Sequence, residues 1–408
     1  MHPVMVLAGY VAGMPLYGPK PLTSRSIGSC LTQGQDMARQ EWQVGARHGR
    51  LQDCARRNDT TPATIGLLLV ACCGCLEPDI RRTSVQEGQP VSPPCLHPVS
   101  VGNAYGYIDG SGQMRIKPRY QRADPFWEGL ARVRIDGRYG FIDQTGRMVI
   151  KPQFAFVMSR FREGYVSYQD EKSGKWGFID RTGRVTVAPE FEIPSRFQEG
   201  LASVRIAGKY GFVNTHGKMV IAARFDDVGE FSGGLAPAGT RVCDLEEDAR
   251  ITYGYVDKNG SFAIEPVFDE ASNFSEGQAF VMRSGRLDCI DRSGRTLFRV
   301  PADNAGLYFE GLARIGVLHN GSQLMGFIDK SGRIVIEPRF QLALAFSEEL
   351  AAVCTETGWG FIDKTGAWAI EPVFSSVSLF SGGLAWVEIG DRRGYIKHDG
   401  KWVWSSSE

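Results

Sequence analysis

The 408-residue chain carries no net charge, with 46 Lys and Arg against 46 Asp and Glu. A balanced surface offers nothing special to a phosphate backbone or an acidic membrane, so nucleic-acid binding is not expected. Histidine is scarce, and His2, His48, His97, His216, His319 and His398 show no metal-ligand spacing. Nine cysteines are too few to staple a chain of this length. Cys72, Cys73 and Cys75 cluster, but the second half of a zinc pattern is missing. No glycine-rich phosphate loop, serine elbow or Cys/His pair occurs. No catalytic residue, cofactor or metal is therefore expected.

What the chain has instead is a repeated short motif. In Tyr139-Gly140-Phe141-Ile142-Asp143-Gln144-Thr145-Gly146-Arg147-Met148-Val149-Ile150-Lys151-Pro152, apolar and aromatic residues alternate on two arms around a turn. That pattern predicts a β-hairpin. Asp143 opens the turn by bonding its own backbone, and Gly146 supplies the left-handed residue that closes it. Asp180 with Gly183 and Asp363 with Gly366 repeat the pair. Pro152, with no N–H, is expected to end the ladder.

The glycine of this step recurs at 106, 140, 177, 211, 254, 326, 360 and 394, and Asp288 fills its place in a degenerate copy. A second signature, Phe-x-Glu-Gly-Leu-Ala, lies between the hairpins, as at Phe197 to Ala202. The basic unit is about 34 residues and occurs nine times. A fixed period of this kind means units that cannot bury an apolar face alone and must complete one another's core.

Lys175-Trp176-Gly177-Phe178-Ile179-Asp180 and Trp359-Gly360-Phe361-Ile362-Asp363 resemble the bacterial WG-repeat (KWG-repeat) proteins over about three quarters of the chain. Tyr stands in for Trp at 105, 139, 210 and 253, and Leu287, Met325 and Arg393 depart further. The resemblance implies a scaffold without a shared active site.

The expected fold is all-β: about nine antiparallel units of three strands each. Propeller-like closure is slightly preferred over an open superhelix, although propellers usually have about 4–8 four-stranded blades. The connection from Gln153 to Gly164 carries Phe154 and Phe161, expected to plug between neighbours. The repeated aspartates (Asp109, Asp143, Asp180, Asp257, Asp291, Asp329, Asp363) read as turn openers, because Asn214 replaces one of them. The repeated glutamates (Glu128, Glu163, Glu199, Glu276, Glu310, Glu348) read as solvated strand-entry residues. His216 and His398 fall in turns and are expected to be exposed. Cys289 and Cys354 read as packed thiols.

Residues 1–71 lie outside the repeat. They end in Arg56-Arg57, a polar spacer and an apolar run of about ten residues to Cys72, which has the form of a secretory signal. The run is too short to span ~30 Å of hydrocarbon. Leu69-Val70-Ala71-Cys72 resembles a lipobox, which makes Cys72 the candidate lipidation site and that lipid the membrane attachment. The alternative is an apolar segment of a cytosolic extension. A signal ending at residue 72 implies a start downstream of Met1, at Met37 or nearer Arg56. Residues 72–94, with Pro78, Pro90, Pro93 and Pro94, read as a tether, and 95–408 as the repeat domain.

Three units carry insertions in the same hairpin, which places those loops on one face or rim. They nominate Tyr168, Trp176, Arg241, Asp244, Glu246, Glu247, Asp248, Arg250, His319 and Asn320 as contacts for a protein, glycan or cell-wall partner. The expected function is a non-enzymatic binding scaffold of the bacterial cell envelope. A site assembled across repeats for hydrolysis, or a cytosolic interaction module, is the alternative.

Overall fold

A computed structural model describes residues 95–242 and 250–406. Cys72, the tether and the acidic residues 244–248 lie outside the described residues.

Every described element is a β-strand, and the strands form nine antiparallel sheets. The second sheet shows the plan. A two-residue strand (Arg122–Ala123) is followed by Leu130–Ile135, Arg138–Asp143 and Met148–Phe154, hydrogen-bonded in chain order. Seven of the nine blades therefore show four strands among the described residues rather than the expected three. The additional strand lies in the connection that carries Phe154 and Phe161, where two residues are too few to leave an alternating pattern. Two sheets have three strands. In the fourth blade a single bridge, Pro194 to Val204, takes the place of the short strand.

The third strand explains why no unit stands alone. Phe141 and Ile142 are adjacent, point to opposite faces and are both fully buried. Ile142 joins Tyr107, Ile116 and Tyr120 of the blade before, and Phe141 joins Phe161, Val166 and Ile179 of the blade after. Phe154 and Phe161 do plug this second interface. Nine such clusters exist for nine blades, where an open array would have eight. The ninth packs Val99 and Ile108 of the first blade on Leu384, Trp386 and Tyr395 of the last. The array is a closed ring.

One hydrogen bond confirms the closure. Tyr107 and Tyr255, each just after its motif glycine, donate to Asp124 O and Ser272 O, one residue past the next blade's first strand, both at 2.8 Å. Tyr395 makes the equivalent reach at 2.9 Å, but to Pro98 O in the second strand of blade one. No first strand of that blade lies among the described residues. Pro98 suits this edge. Its counterparts Ser203, Phe280 and Trp386 need a serine Oγ for their N–H groups, and proline has no N–H to satisfy.

The motif glycine has a reason that spacing alone does not reveal. Pairing steps from Tyr139↔Phe154 to Phe141↔Ile150, so two extra residues bulge around Pro152. The fourth strand runs through the proline instead of stopping at it. The bulge pushes backbone against Gly140, where a Cβ would lie 2.5 Å from Ile150 O and 2.8 Å from Pro152 N. Blade six lacks this bulge, with Asp288↔Arg299 and Cys289↔Phe298 in simple register. It is also the blade in which aspartate replaces the glycine, whereas blade nine, in the same simple register, keeps Gly394 because Trp404 O lies against it.

The Asp-x-x-Gly turns form as expected. Asp143 Oδ1 accepts from Thr145 N and Arg147 N at 3.0 Å each, and Gly146 has φ +82°. Gly183 and Gly366 both have φ +85° behind Asp180 and Asp363. Asn214 makes the same pair of bonds, to His216 N and Lys218 N.

Candidate binding faces and the axial recess

Strand order places the connections on two faces. The first-to-second and third-to-fourth turns share one face, here the Glu-Gly face. The second-to-third turns and the crossovers between blades share the other, the loop face.

On the Glu-Gly face the repeated glutamates are not merely solvated. Glu128, Glu163, Glu199, Glu276, Glu310 and Glu348 all adopt φ between +48° and +54°, a strained region for a residue with a Cβ. Each carboxylate accepts backbone N–H from the next blade's turn. Glu128 takes Glu163 N at 2.8 Å and Gly164 N at 2.9 Å, and Glu163 takes Glu199 N and Gly200 N at 2.6 and 2.8 Å. Glu199, Glu276, Glu310 and Glu348 continue the series to Gly234, Gly311, Glu349 and Gly383. A charged acceptor on backbone donors contributes about 1.5–3 kcal/mol, less where exposed, which offsets the local strain. Equivalent turns that bond directly must be close together, so the short first strands surround the ring's axis.

In five blades the residue after the turn aspartate completes this belt. Arg181 Nη2 donates to Glu128 O at 2.6 Å, and Lys258 and Lys364 pair with Glu199 and Glu310 at 3.2 Å each. His398 occupies the same place in the last blade. Its ring stacks on Phe380 at 4.2 Å and its Nε2 lies 3.3 Å from Glu348 Oε2, so it packs rather than simply facing water. The sequence shows the period of these residues but not their partners. Their i to i+35 spacing was the available signal.

The loop face carries the insertions, in blades three, five and seven. They occupy alternate blades. Arg241 is exposed, its N–H donating to Asp226 Oδ2, and Arg250 pairs with Asp269. His319 and Asn320 form an exposed turn, with Asn320 at φ +50°. Two nominated residues belong elsewhere. Tyr168 is only 9% exposed and packs on Phe154 with ring centroids 5.5 Å apart, because its strand position points into the interface between blades. Trp176 is half-buried and stands in register with Phe191 just as Tyr139 does with Phe154.

Sequence reasoning missed the exposed apolar side chains of this face. Val101, Ile206, Val242, Leu318 and Ile389 stand at or next to the ends of second strands, and Phe156, Met158 and Leu342 near the crossovers. They are eight of thirteen large exposed hydrophobics among the described residues, and the other five sit on outer fourth strands. The Glu-Gly turns contribute none, and three of those five, Val185, Val220 and Leu297, stand at or next to the start of fourth strands on that side.

At the axis, a recess of about 30 Å³ is lined from five successive blades, including Arg162, Gln198, Glu230, Asn273, Leu307 and Phe309. Among the described residues no three His, Cys, Asp or Glu side chains gather where they could hold a metal ion. Cys95, Cys289 and Cys354 are free thiols. Burial pushes the Cys289 thiol up to about 12, which keeps it protonated and unreactive.

These features define a closed, nine-bladed β-propeller built from tandem repeats and held by inter-blade carboxylate bonds. The WG containing repeat is matched at residues 105–139, 139–172, 176–210, 210–238, 253–286, 325–356 and 359–392. The chain belongs to that family. No curated protein matches it in sequence. Among solved structures, a eukaryotic initiation factor is similar in fold at TM-score 0.55 and 10% identity, over 77% of this chain and 96% of that one. Apo AztD from Citrobacter koseri aligns at TM-score 0.34 and 13% identity over 68% and 92% of the two chains. An acylaminoacyl peptidase from Pyrococcus horikoshii aligns at 0.35 and 10% over 68% and 52%.

Proposed function

We propose that this propeller is a non-enzymatic binding scaffold of the bacterial cell envelope, tethered through a lipid on Cys72, whose loop face contacts a protein partner. The observation that carries the reading is the sidedness of the exposed apolar surface. Solvent-facing hydrophobics gathered on one face, together with variable loops, are what a protein interface needs. The opposite face spends its charges on its own backbone. A glycan would favour exposed aromatics and polar groups, and among the described residues Phe156 is the single aromatic of the exposed large hydrophobics.

Two measurements test the parts separately. Replacing Val242 and Leu318 together by lysine is expected to reduce capture of envelope proteins by the purified chain several-fold, with no change in melting temperature. Equal capture by the folded variant would remove the loop face from consideration. Cys72→Ser should move the protein from the membrane to the soluble fraction. Retention in the membrane fraction would contradict the anchor while leaving the binding face in place.

A further inference from the structure

We infer that the axial recess on the Glu-Gly side is a second binding site, which takes an acidic side chain and an adjoining apolar side chain from an extended peptide of a partner protein. The site is independent of the loop face.

The extended segments between the short inner strands and the Glu-Gly turns read x-Phe-x-Glu-Gly, and the phenylalanine turns back into the interface between blades: Phe161, Phe197, Phe231 and Phe274 are all buried. With a period of two, the flanking residues face the axis. The recess lining bears this out, since it includes Arg162, Gln198, Glu230, Ser232, Asn273, Ser275, Leu307 and Phe309. Followed around the ring, this wall changes character. Blades three and four contribute Arg162 and Gln198, with Trp127, Arg160 and Arg196 at the equivalent or neighbouring repeat positions, whereas blade seven contributes Leu307 and Phe309.

The cationic part is organised. The guanidinium groups of Arg160 and Arg162 lie 5.0 and 5.6 Å from the centre of the Trp127 ring, which fixes two long side chains beside the opening. The acid in the lining, Glu230, is 3.5 Å from Arg196. Asn273 uses its Oδ1 to accept from Glu230 N at 3.1 Å, so what it has left to offer is a donor. Arg162, Gln198 and Asn273 thus line a space of about 30 Å³ with side chains able to donate N–H. At roughly 10–15 Å³ for each water-sized occupant, it has room for the two oxygens of a carboxylate, not for an enclosed small molecule.

The belt around the mouth supplies a second, independent observation. Its glutamate is missing at Gly233, in the middle of the five blades that line the recess. Arg292 takes the space, with its side chain 3.2 Å from where a Cβ would stand at Gly233, and donates to Gly233 O. At that blade the belt keeps its regular cation, as Arg181 and Lys258 are kept elsewhere, but loses the anion that would neutralise it, which lowers the barrier to an approaching carboxylate. Leu307 and Phe309 then offer an apolar wall to the neighbouring residue of the peptide.

The test is selection of a displayed random octapeptide library on the whole chain. The expected outcome is enrichment of sequences with Asp or Glu next to a large apolar residue. A synthetic peptide of the enriched sequence should bind with strong salt dependence and change Trp127-region fluorescence. Arg162→Glu should weaken it by about tenfold or more. Arg162→Gln, which keeps the polarity without the charge, serves if the reversal disturbs folding. The double lysine substitution at Val242 and Leu318 should leave the peptide's affinity unchanged. No enrichment, an enriched set without acidic residues, or undiminished binding by either folded Arg162 variant would overturn the site.

Discussion

Gly140→Val is expected to destabilise the propeller by more than about 3 kcal/mol, the upper range for overpacking a closed site. The new Cβ would sit 2.5 Å from Ile150 O and 2.8 Å from Pro152 N, both backbone atoms of a paired strand that cannot rotate away. Relief requires straightening the bulge, which withdraws Phe154 from the interface with the next blade. The matched control is built into the molecule. Asp288 occupies the same repeat position without the bulge, so Asp288→Val should change stability by no more than about 1 kcal/mol, the span of strand propensities. Urea unfolding midpoints of the two variants decide the matter. Similar losses at both positions would show that the bulge is not what demands glycine.

Acidification should weaken the protein in two separate steps, and the first belongs to His97. This side chain is 6% exposed at the seam between first and last blades, beside Tyr395 at 5.2 Å, and its Nε2 has no hydrogen-bond partner. Burial pushes its pKa down to about 4, against a backbone bond to Gly382 and the charge of Asp109 that favour the protonated form. In the unfolded chain it titrates near 6.5, so below that pH the unfolded state binds the proton more readily. Stability is therefore intact above pH 6.5 and falls as pH drops toward 4, by about 3 kcal/mol for this group alone. His97→Gln should flatten that part of the curve. An unchanged slope in the variant would exclude the histidine as its source.

The second step belongs to the turn aspartates. The Ser111 hydroxyl and the Arg115 side chain hold Asp109 well below the usual carboxylate range, despite some opposing burial. The Thr365 hydroxyl, with backbone N–H groups of Thr365, Ala367 and Gly366, lowers Asp363 likewise. Their folded pKa values lie below the unfolded ones, so their contribution is present above pH 4 and disappears as pH falls further. The histidine variant should retain this lower limb.

The turns were legible because a turn is local. Asp143 and Gly146 lie three residues apart and satisfy each other's backbone without help, so spacing and residue type suffice. The nine-fold period was legible for the same reason, and so was the plugging role of Phe154 and Phe161, whose aromatic character has no use in a solvated connection. The glutamates were misread because their partners lie about 35 residues away, on the next blade. Tyr168 was misread because an insertion beside it suggested a surface, while its strand register turned it inward. The insertions were correctly assigned to one hairpin, but their separation by intervening blades could not be seen from the chain.

By itself the sequence determined the repeat, its hairpins, its all-β class and the face on which its long loops emerge. These follow from hydrogen bonds and side-chain alternation within a single unit. Closure, the four-stranded blade, the carboxylate belt and the mixed wall of the axis were decided only in the tertiary structure. Each depends on how far one blade rotates relative to the next. That rotation is set by the packing of Phe141-type and Ile142-type side chains against neighbours, and no single repeat contains it.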